Sequence, residues 1–234
     1  MSRTISDWII QMKKSPGLHQ LGRDFHTNKI VDSDRLIQSG LPTLDHLKMP
    51  YNDFVRCTPE LEAFLARHKA YVVRAIPNTD AIHRQYNVGV YSYEDCLDFL
   101  NMAIEEGDED KHKVYLTEYE PESWAGIIIS RPRDVLIEVA KVSLAELSHD
   151  QVNSVGGRYA SHTGSIKTMR YTTDDPEAIS LMWAALQYLR KRDLPDSPFF
   201  PELDLVPGYF EFVVTKETNR IMFLDYKVND TYLR

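Results

Sequence analysis

Apolar and polar positions alternate most cleanly near the end of the chain, in Gly208-Tyr-Phe-Glu-Phe-Val-Val-Thr-Lys-Glu-Thr-Asn-Arg-Ile-Met-Phe-Leu-Asp-Tyr-Lys227. Two runs rich in β-branched and aromatic residues flank the polar segment Lys216 to Asn219, a pattern that predicts a β-hairpin. Successive side chains on a strand point to opposite faces, so Glu211 shares a face with Val213 and lies opposite Phe210 and Phe212. On the returning strand Asp225 and Lys227 share a face, opposite Leu224 and Tyr226. A carboxylate in an apolar strand is costly to bury unless something pairs with it. Two carboxylates brought together across a hairpin invite a shared proton or a divalent cation held through oxygen. The alternative is a sheet with one solvated face, on which Glu211 and Asp225 simply meet water.

Upstream, helical spacing and caps mark further elements. Ser6 with Trp8, Ile9 and Met12 predicts a short amphipathic helix that Lys14-Ser-Pro-Gly17 breaks. Residues 22–56 show little periodicity beyond Ile30–Ile37, and Gly40-Leu-Pro42 reads as a turn. Thr58-Pro59-Glu60 opens a helix to about His68 that buries Leu61, Phe64 and Leu65. Ala70 to Ile76 reads as a strand stopped by Pro77, followed by a loop from Asn78 to Gly89. Ser92-Tyr-Glu-Asp95 resembles a capping box and starts a helix ending near Gly107. Strands follow over 113–119, 125–130 and 134–140, then around 158–161 and 165–171. Asp175-Pro176-Glu177 opens a helix to about Arg192, and Pro195 to Pro207 forms a connection to the hairpin. Trp124 and Trp183, like Trp8, read as core residues. The order predicts an α+β fold with mostly antiparallel sheets and flanking helices, not the regular alternation of a parallel doubly wound sheet.

Composition narrows the function. The 234 residues suffice for one large domain or two lobes, and 43% hydrophobic with 26% charged content is ordinary for a soluble globular protein. A formal charge of −8 argues against a broad nucleic-acid footprint, which needs clustered Lys and Arg. Cys57 and Cys96 offer neither a disulfide framework nor zinc spacing, and the eight histidines show no ligand spacing on one helix. With no signal-peptide pattern and no apolar run of about 18 residues, the expectation is a cytoplasmic protein without a membrane span. Glycine-rich phosphate loops of the usual dinucleotide or Walker kinds are absent from the sequence.

Four stretches, taken in order over residues 70–227, resemble the ATP-binding domain of the phosphoenolpyruvate synthase and pyruvate-phosphate dikinase type, a branch of the ATP-grasp proteins. Val72-Val-Arg-Ala-Ile-Pro-Asn-Thr-Asp80, Gly89 and the helix from Ser92 are similar to that family's arginine strand, glycine and helix. Lys113-Val-Tyr-Leu-Thr-Glu-Tyr-Glu120 and Trp124-Ala-Gly-Ile-Ile-Ile129 are similar to its strand, inter-lobe linker and next strand. Leu136-Ile-Glu-Val139 and Leu144-Ala-Glu-Leu147 stand where the family has an Ile-Glu strand and a Gly-Leu-Gly-Glu segment. Phe210-Glu-Phe-Val213 and Leu224-Asp-Tyr-Lys227 stand for its acidic strand and Gln-x-Arg partner. The departures are Ala75-Ile76 for a Ser-Ser pair, Asp80 alone for Glu-Asp, and Asp225-x-Lys227 for Gln-x-Arg. The phosphohistidine domain and pyruvate-binding barrel of those enzymes have no room in this length.

The resemblance implies a two-lobed ATP-grasp-like unit, with residues 1–117 as N-terminal helices and first lobe, 118–234 as a strand-rich second lobe, and a cleft between them. It implies ATP and Mg2+ as cofactors and an unknown small-molecule acceptor for phosphoryl transfer or ATP-dependent ligation. Such chemistry needs cations on the phosphates and carboxylates for magnesium. Arg74 and Lys29 are the implied phosphate ligands, Glu211 and Asp225 the metal ligands, and Lys227 the cation at the γ-phosphate. Glu118, Tyr119 and Glu120 lie on the implied linker, where backbone groups read the adenine edge, and Glu138 is a further carboxylate facing the implied cleft. Arg74 as a structural partner, Glu138 on a wet face and Lys29 as a surface residue are the simpler readings. Two other functions stay open. One is a nucleotide-binding or regulatory protein that has lost transfer chemistry. The other is a covalent nucleotidyltransferase of the RNA-ligase type, which Glu211-Phe-Val-Val214 and Lys227 also resemble, although Lys14-Ser-Pro-Gly17 fits its nucleophile motif poorly.

Overall fold

The structure, a computed structural model, describes residues 29–77, 85–131, 134–144, 147, 154–160, 169–190 and 205–228. The expected helix over 6–14 with Trp8, the Lys14–Gly17 segment, Asp80, Ala145-Glu146 and Phe199-Phe200 lie outside the described residues. Contacts divide the chain into two units, Leu44–Pro121 and the remainder, Met1–Thr43 with Glu122–Arg234. That division differs from a boundary at 117/118, because the helix α1 (Lys29–Gln38) packs on the final strand of the larger unit.

The smaller unit contains β1 (His46–Pro50), α2 (Tyr51–Val55), α3 (Pro59–Arg67), β2 (Tyr71–Pro77), β3 (Gln85–Val90), α4 (Tyr93–Ala103) and β4 (His112–Glu118). Its strands form an antiparallel sheet in the order β1-β4-β2-β3. Alternation sends Leu47, Met49, Tyr71, Val73, Val114 and Leu116 to one face, where Phe54, Leu61, Phe64, Cys96 and Leu100 from the helices cover them. Pro59 at the first helical position pre-sets the backbone of α3, and the Thr58 side chain makes no cap bond. At α4 the cap is made, since Ser92 Oγ accepts from the Asp95 N–H at 3.0 Å.

β3 forms where a loop from Asn78 to Gly89 was expected, and β1 and α2 form in the stretch 22–56 that shows little periodicity. Gln85-Tyr-Asn-Val-Gly-Val90 carries residues that disfavour strands, yet pairing with β2 holds it extended. Gly89 is the extra residue between the pairs Tyr71–Val90 and Val72–Val88, and its φ of +73° is a conformation glycine adopts without a Cβ clash.

The larger unit has a six-stranded antiparallel sheet in the order β10-β9-β5-β6-β7-β8. Its strands are β5 (Glu122–Ser130), β6 (Asp134–Ala140), β7 (Val155–Ala160), β8 (Met169–Tyr171), β9 (Gly208–Thr215) and β10 (Ile221–Lys227). The hairpin β9–β10 turns through residues 216–219, with Asn219 in the left-handed region and its N–H donated to Thr215 O. One face of the sheet carries Phe210, Phe212, Val214, Ile128, Ile137 and Val139. It packs against Ala178, Met182, Ala185 and Leu186 of α5 (Pro176–Tyr188) and Leu36 of α1. Gly126 lies under the Phe212 ring, and a Cβ there would stand 2.2 Å from a ring carbon. The expected α+β architecture of mostly antiparallel sheets with flanking helices is the one observed.

Candidate functional site

Register places the hairpin carboxylates directly opposite each other, Asp225 of β10 against Glu211 of β9. Glu211 in turn faces Ile127 of β5, which faces Glu138 of β6. The next row on the same face runs Lys227, Tyr209, Ile129, Leu136, Arg158 and Arg170. Directly opposed residues have Cβ atoms about 4.5–5.5 Å apart, whereas Glu138 stands two strands, roughly 10 Å, from Glu211. Glu211 and Asp225 are therefore brought together, and Glu138 is kept apart.

A β-bulge makes this possible. Phe223 pairs with Phe212 and Asp225 with Glu211, so Leu224 has no opposite number. In a regular strand Phe223 and Asp225 would share a face. The extra residue turns Phe223 into the core beside Phe212, while Asp225 joins Lys227 on the other face. Tyr226, stacked on Phe210 at 4.5 Å between ring centroids, pins the register on the core side.

Asp225 and Glu138 do not sit on a wet face. Asp225 is 5% exposed and Glu138 1%, while Glu211 is half-buried. Lys227 Nζ lies 3.0 Å from Asp225 Oδ2, both side chains being largely shielded, and 5.2 Å from the centre of the Tyr209 ring. The geometry of that ion pair is not that of a hydrogen bond, and Asp225 Oδ2 is buried without a hydrogen-bond partner. The Tyr209 hydroxyl donates to Glu211 Oε1 at 2.7 Å. Among the described residues no group of three or more His, Cys, Asp or Glu side chains gathers as a metal cage. Two opposed carboxylates suffice for Mg2+, which keeps most of its waters, and the unbonded Asp225 oxygen is a ligand of the hard type it takes. The donor set fits that cation.

The remaining predicted residues lie as follows. The Glu138 carboxylate accepts from the Ser154 hydroxyl and is interior. Arg74, on β2 of the smaller unit, donates to Thr117 Oγ1 at 2.9 Å and lies 5.9 Å from the Tyr115 ring centre. It shares its row with Tyr115 and Lys48, so that face of the smaller sheet is basic. Glu118 turns to the opposite face, where its carboxylate lies 3.6 Å from His68 Nδ1 and accepts weakly from Asp45 N–H at 3.3 Å. His68 Nε2 is 2.8 Å from Asp45 Oδ2, which Arg67 also reaches at 3.0 Å. Burial raises the Asp45 carboxyl, but bonds from His68 and Arg67, the Arg67 charge and the His46 N–H together hold it below its ordinary value. The backbone N–H groups of Glu118 and Tyr119 are donated to Asp45 O and Ala70 O, so two of the donors expected to read adenine are already paired. Glu120 is buried. Lys29 begins α1, and its side chain lies outside the described residues.

Tyr209, Arg158 and Arg170 were not singled out by the sequence. Tyr209 is two residues from Glu211 and shares its face, a signal that alternation carries. The two arginines join that face only through the pairing of β6, β7 and β8, which the sequence does not specify.

No family model matches the sequence, and no curated protein matches it. Solved structures that the chain is similar to include the D-alanine-D-alanine ligase from Coxiella burnetii, at 10% identity and a TM-score of 0.41, over 83% of this chain and 45% of that one. Another is a RiPP-associated ATP-grasp ligase from Chryseobacterium gregarium in complex with ADP and a leader and core peptide, at 12% identity and a TM-score of 0.42. It covers 83% of this chain and 49% of that one. A third is the VanG D-Ala:D-Ser ligase from Enterococcus faecalis, at 11% identity and a TM-score of 0.41, over 84% of this chain and 51% of that one. The chain spans about half the length of these solved structures. At this distance the similarity assigns neither a reaction nor a substrate. Among the described residues no helix is long and apolar enough to cross a membrane.

Proposed function

We propose that the chain binds ATP with Mg2+ through the Glu211–Asp225 face of the larger sheet and uses the nucleotide in phosphoryl transfer to, or ligation of, a small acceptor. The observation that carries this reading is the buried Asp225 carboxylate, set opposite Glu211 with one oxygen lacking a hydrogen-bond donor. A buried charge left in that state is costly unless a cation completes it, and Lys227 alone supplies a single positive charge. In this reading Glu211 and Asp225 hold the metal, which when bound offsets negative charge on the phosphates. Lys227 orients Asp225 and presents an ammonium to the phosphate chain, though without the planar fork of an arginine. Arg74, steadied by Thr117 and Tyr115, keeps a separate proposed role as a phosphate ligand of the smaller unit. The phosphoenolpyruvate synthase type of ATP-grasp domain remains a proposal resting on the order of the motifs.

One observation favours a second reading. The Lys227 ammonium stands where a cation would approach Asp225 Oδ2, as in a site that binds nucleotide but has lost transfer. The nucleotidyltransferase reading rests on Lys14, outside the described residues.

Calorimetric titration of ATP with and without Mg2+ tests the proposal on the parent, Glu211→Ala and Arg74→Ala. Binding that requires Mg2+ and falls at least about a hundredfold in Glu211→Ala is expected, the loss of one direct charged ligand. Absence of binding to the parent overturns it. Binding without turnover in an ATP hydrolysis assay selects the second reading.

A further inference from the structure

Each carboxylate has one neighbour on its own sheet face. Tyr209 holds Glu211 Oε1 from below with its hydroxyl, and Lys227 faces Asp225 Oδ2. Tyr209 and Lys227 are themselves directly opposite, one rung from the carboxylates on the same face, with the ammonium over the phenol ring. Glu211 Oε1 accepts a hydrogen bond from the phenol, whereas Asp225 Oδ2 has only the ammonium 3.0 Å away and accepts no hydrogen bond. The burial of Asp225 and its unbonded oxygen mark this cluster out from an acidic patch at the surface.

Cations differ in what they ask of a carboxylate. Mg2+ demands near-octahedral geometry and takes single oxygens beside its waters, whereas Ca2+ accepts six to eight oxygens and readily takes both from one carboxylate. A carboxylate oxygen that accepts from a phenol has one of its two lone pairs occupied, so two-oxygen coordination through it is disfavoured. Resting on the proposed reading of Glu211 and Asp225 as cation ligands, we infer that Tyr209 is a positioning residue that selects Mg2+ over Ca2+ by holding Glu211 to single-oxygen coordination. Its action passes through Glu211, and the ring beneath Lys227 is not required for it.

The test compares ADP binding by the full chain in excess MgCl2 and in excess CaCl2, read by calorimetry. The parent is expected to prefer Mg2+, and Tyr209→Phe, which keeps the ring and removes the hydroxyl, should narrow the Mg2+-to-Ca2+ affinity ratio about tenfold, the worth of one bond to a charged oxygen. A loss of stability alone would weaken binding in both salts and leave the ratio unchanged. Glu211→Asp, which draws the carboxylate back from the phenol, should narrow the ratio by a second route and carries the test should Tyr209→Phe fold poorly. A cation-dependent parent whose ratio survives both changes overturns the role of Tyr209 and leaves the site standing. ADP binding by the parent that ignores both cations overturns the site and the inference together.

Discussion

Two pairs of carboxylates stand on the two sheets, and their surroundings differ. Asp45 and Glu118 of the smaller unit share His68 between them, with Arg67 and backbone N–H groups as further donors. Both are partly open to solvent, with side-chain exposures of 42% and 23%. Glu211 and Asp225 of the larger unit have one phenol and one ammonium, and Asp225 keeps a buried oxygen without a hydrogen bond. The first pair is bonded by several groups of the protein and ties β1, α3 and β4 together. The second has one ammonium for two carboxylates, and Asp225 is buried where screening is weak. A closed ion-pair network reads as structure, and the incomplete one is where the ligand site is proposed.

The contrast breaks most sharply at Lys227. Lys227→Met would leave Asp225 buried and unpaired, and a loss of about 3–5 kcal/mol is expected in denaturant unfolding. Adding Asp225→Asn removes the charge as well and should recover most of that loss. If the single change were neutral, the Asp225 carboxylate would have to be satisfied by something other than Lys227. At the other pair the response appears in acid. The Asp45 carboxyl is held below its ordinary value of 3.8, so the stability it contributes is complete above that value and is lost as pH falls through the lowered folded value. Asp45→Asn should flatten that part of a thermal-unfolding profile taken between pH 5 and about 2. An unchanged profile would remove Asp45 from the account of acid sensitivity. The smallest effect is expected at Arg67, whose side chain is 56% exposed, so that Arg67→Ala should cost only about 0.2–1 kcal/mol in the same unfolding assay.

Long elements with caps and periodic faces were legible in the sequence. Pro59, Ser92 and Asp175 announce α3, α4 and α5, and Asp175 accepts from Glu177 N–H at 2.9 Å as an N-cap should. The strands β4 to β6 and the final hairpin were legible from alternation. β1, α2 and β3 were not, because each has six residues or fewer and takes its stability from pairing or packing that local sequence does not encode. The union of α1 with β10 was hidden for the same reason, since most of the chain lies between them. At the site, the face shared by Glu211 was predicted correctly, and Tyr209 could have been added by the same alternation. The turning of Glu118 toward His68 could not, because it depends on where β1 and α3 bring Asp45 and His68.

The sequence by itself determined that residues 208–227 form a hairpin, that Glu211 opposes Phe210 and Phe212, and that Asp225 and Lys227 stand opposite Tyr226. These follow from a two-residue period and a polar turn, which are local. Only the tertiary structure decided that Leu224 bulges. Phe223 and Asp225 compete for one side of a regular strand, and the core formed with Phe212, α1 and α5 claims Phe223. The strand takes in one extra residue to meet both demands, and that step sets Asp225 against Glu211. The energy that selects it comes from burying Phe223 among residues distant in sequence, which no local pattern contains.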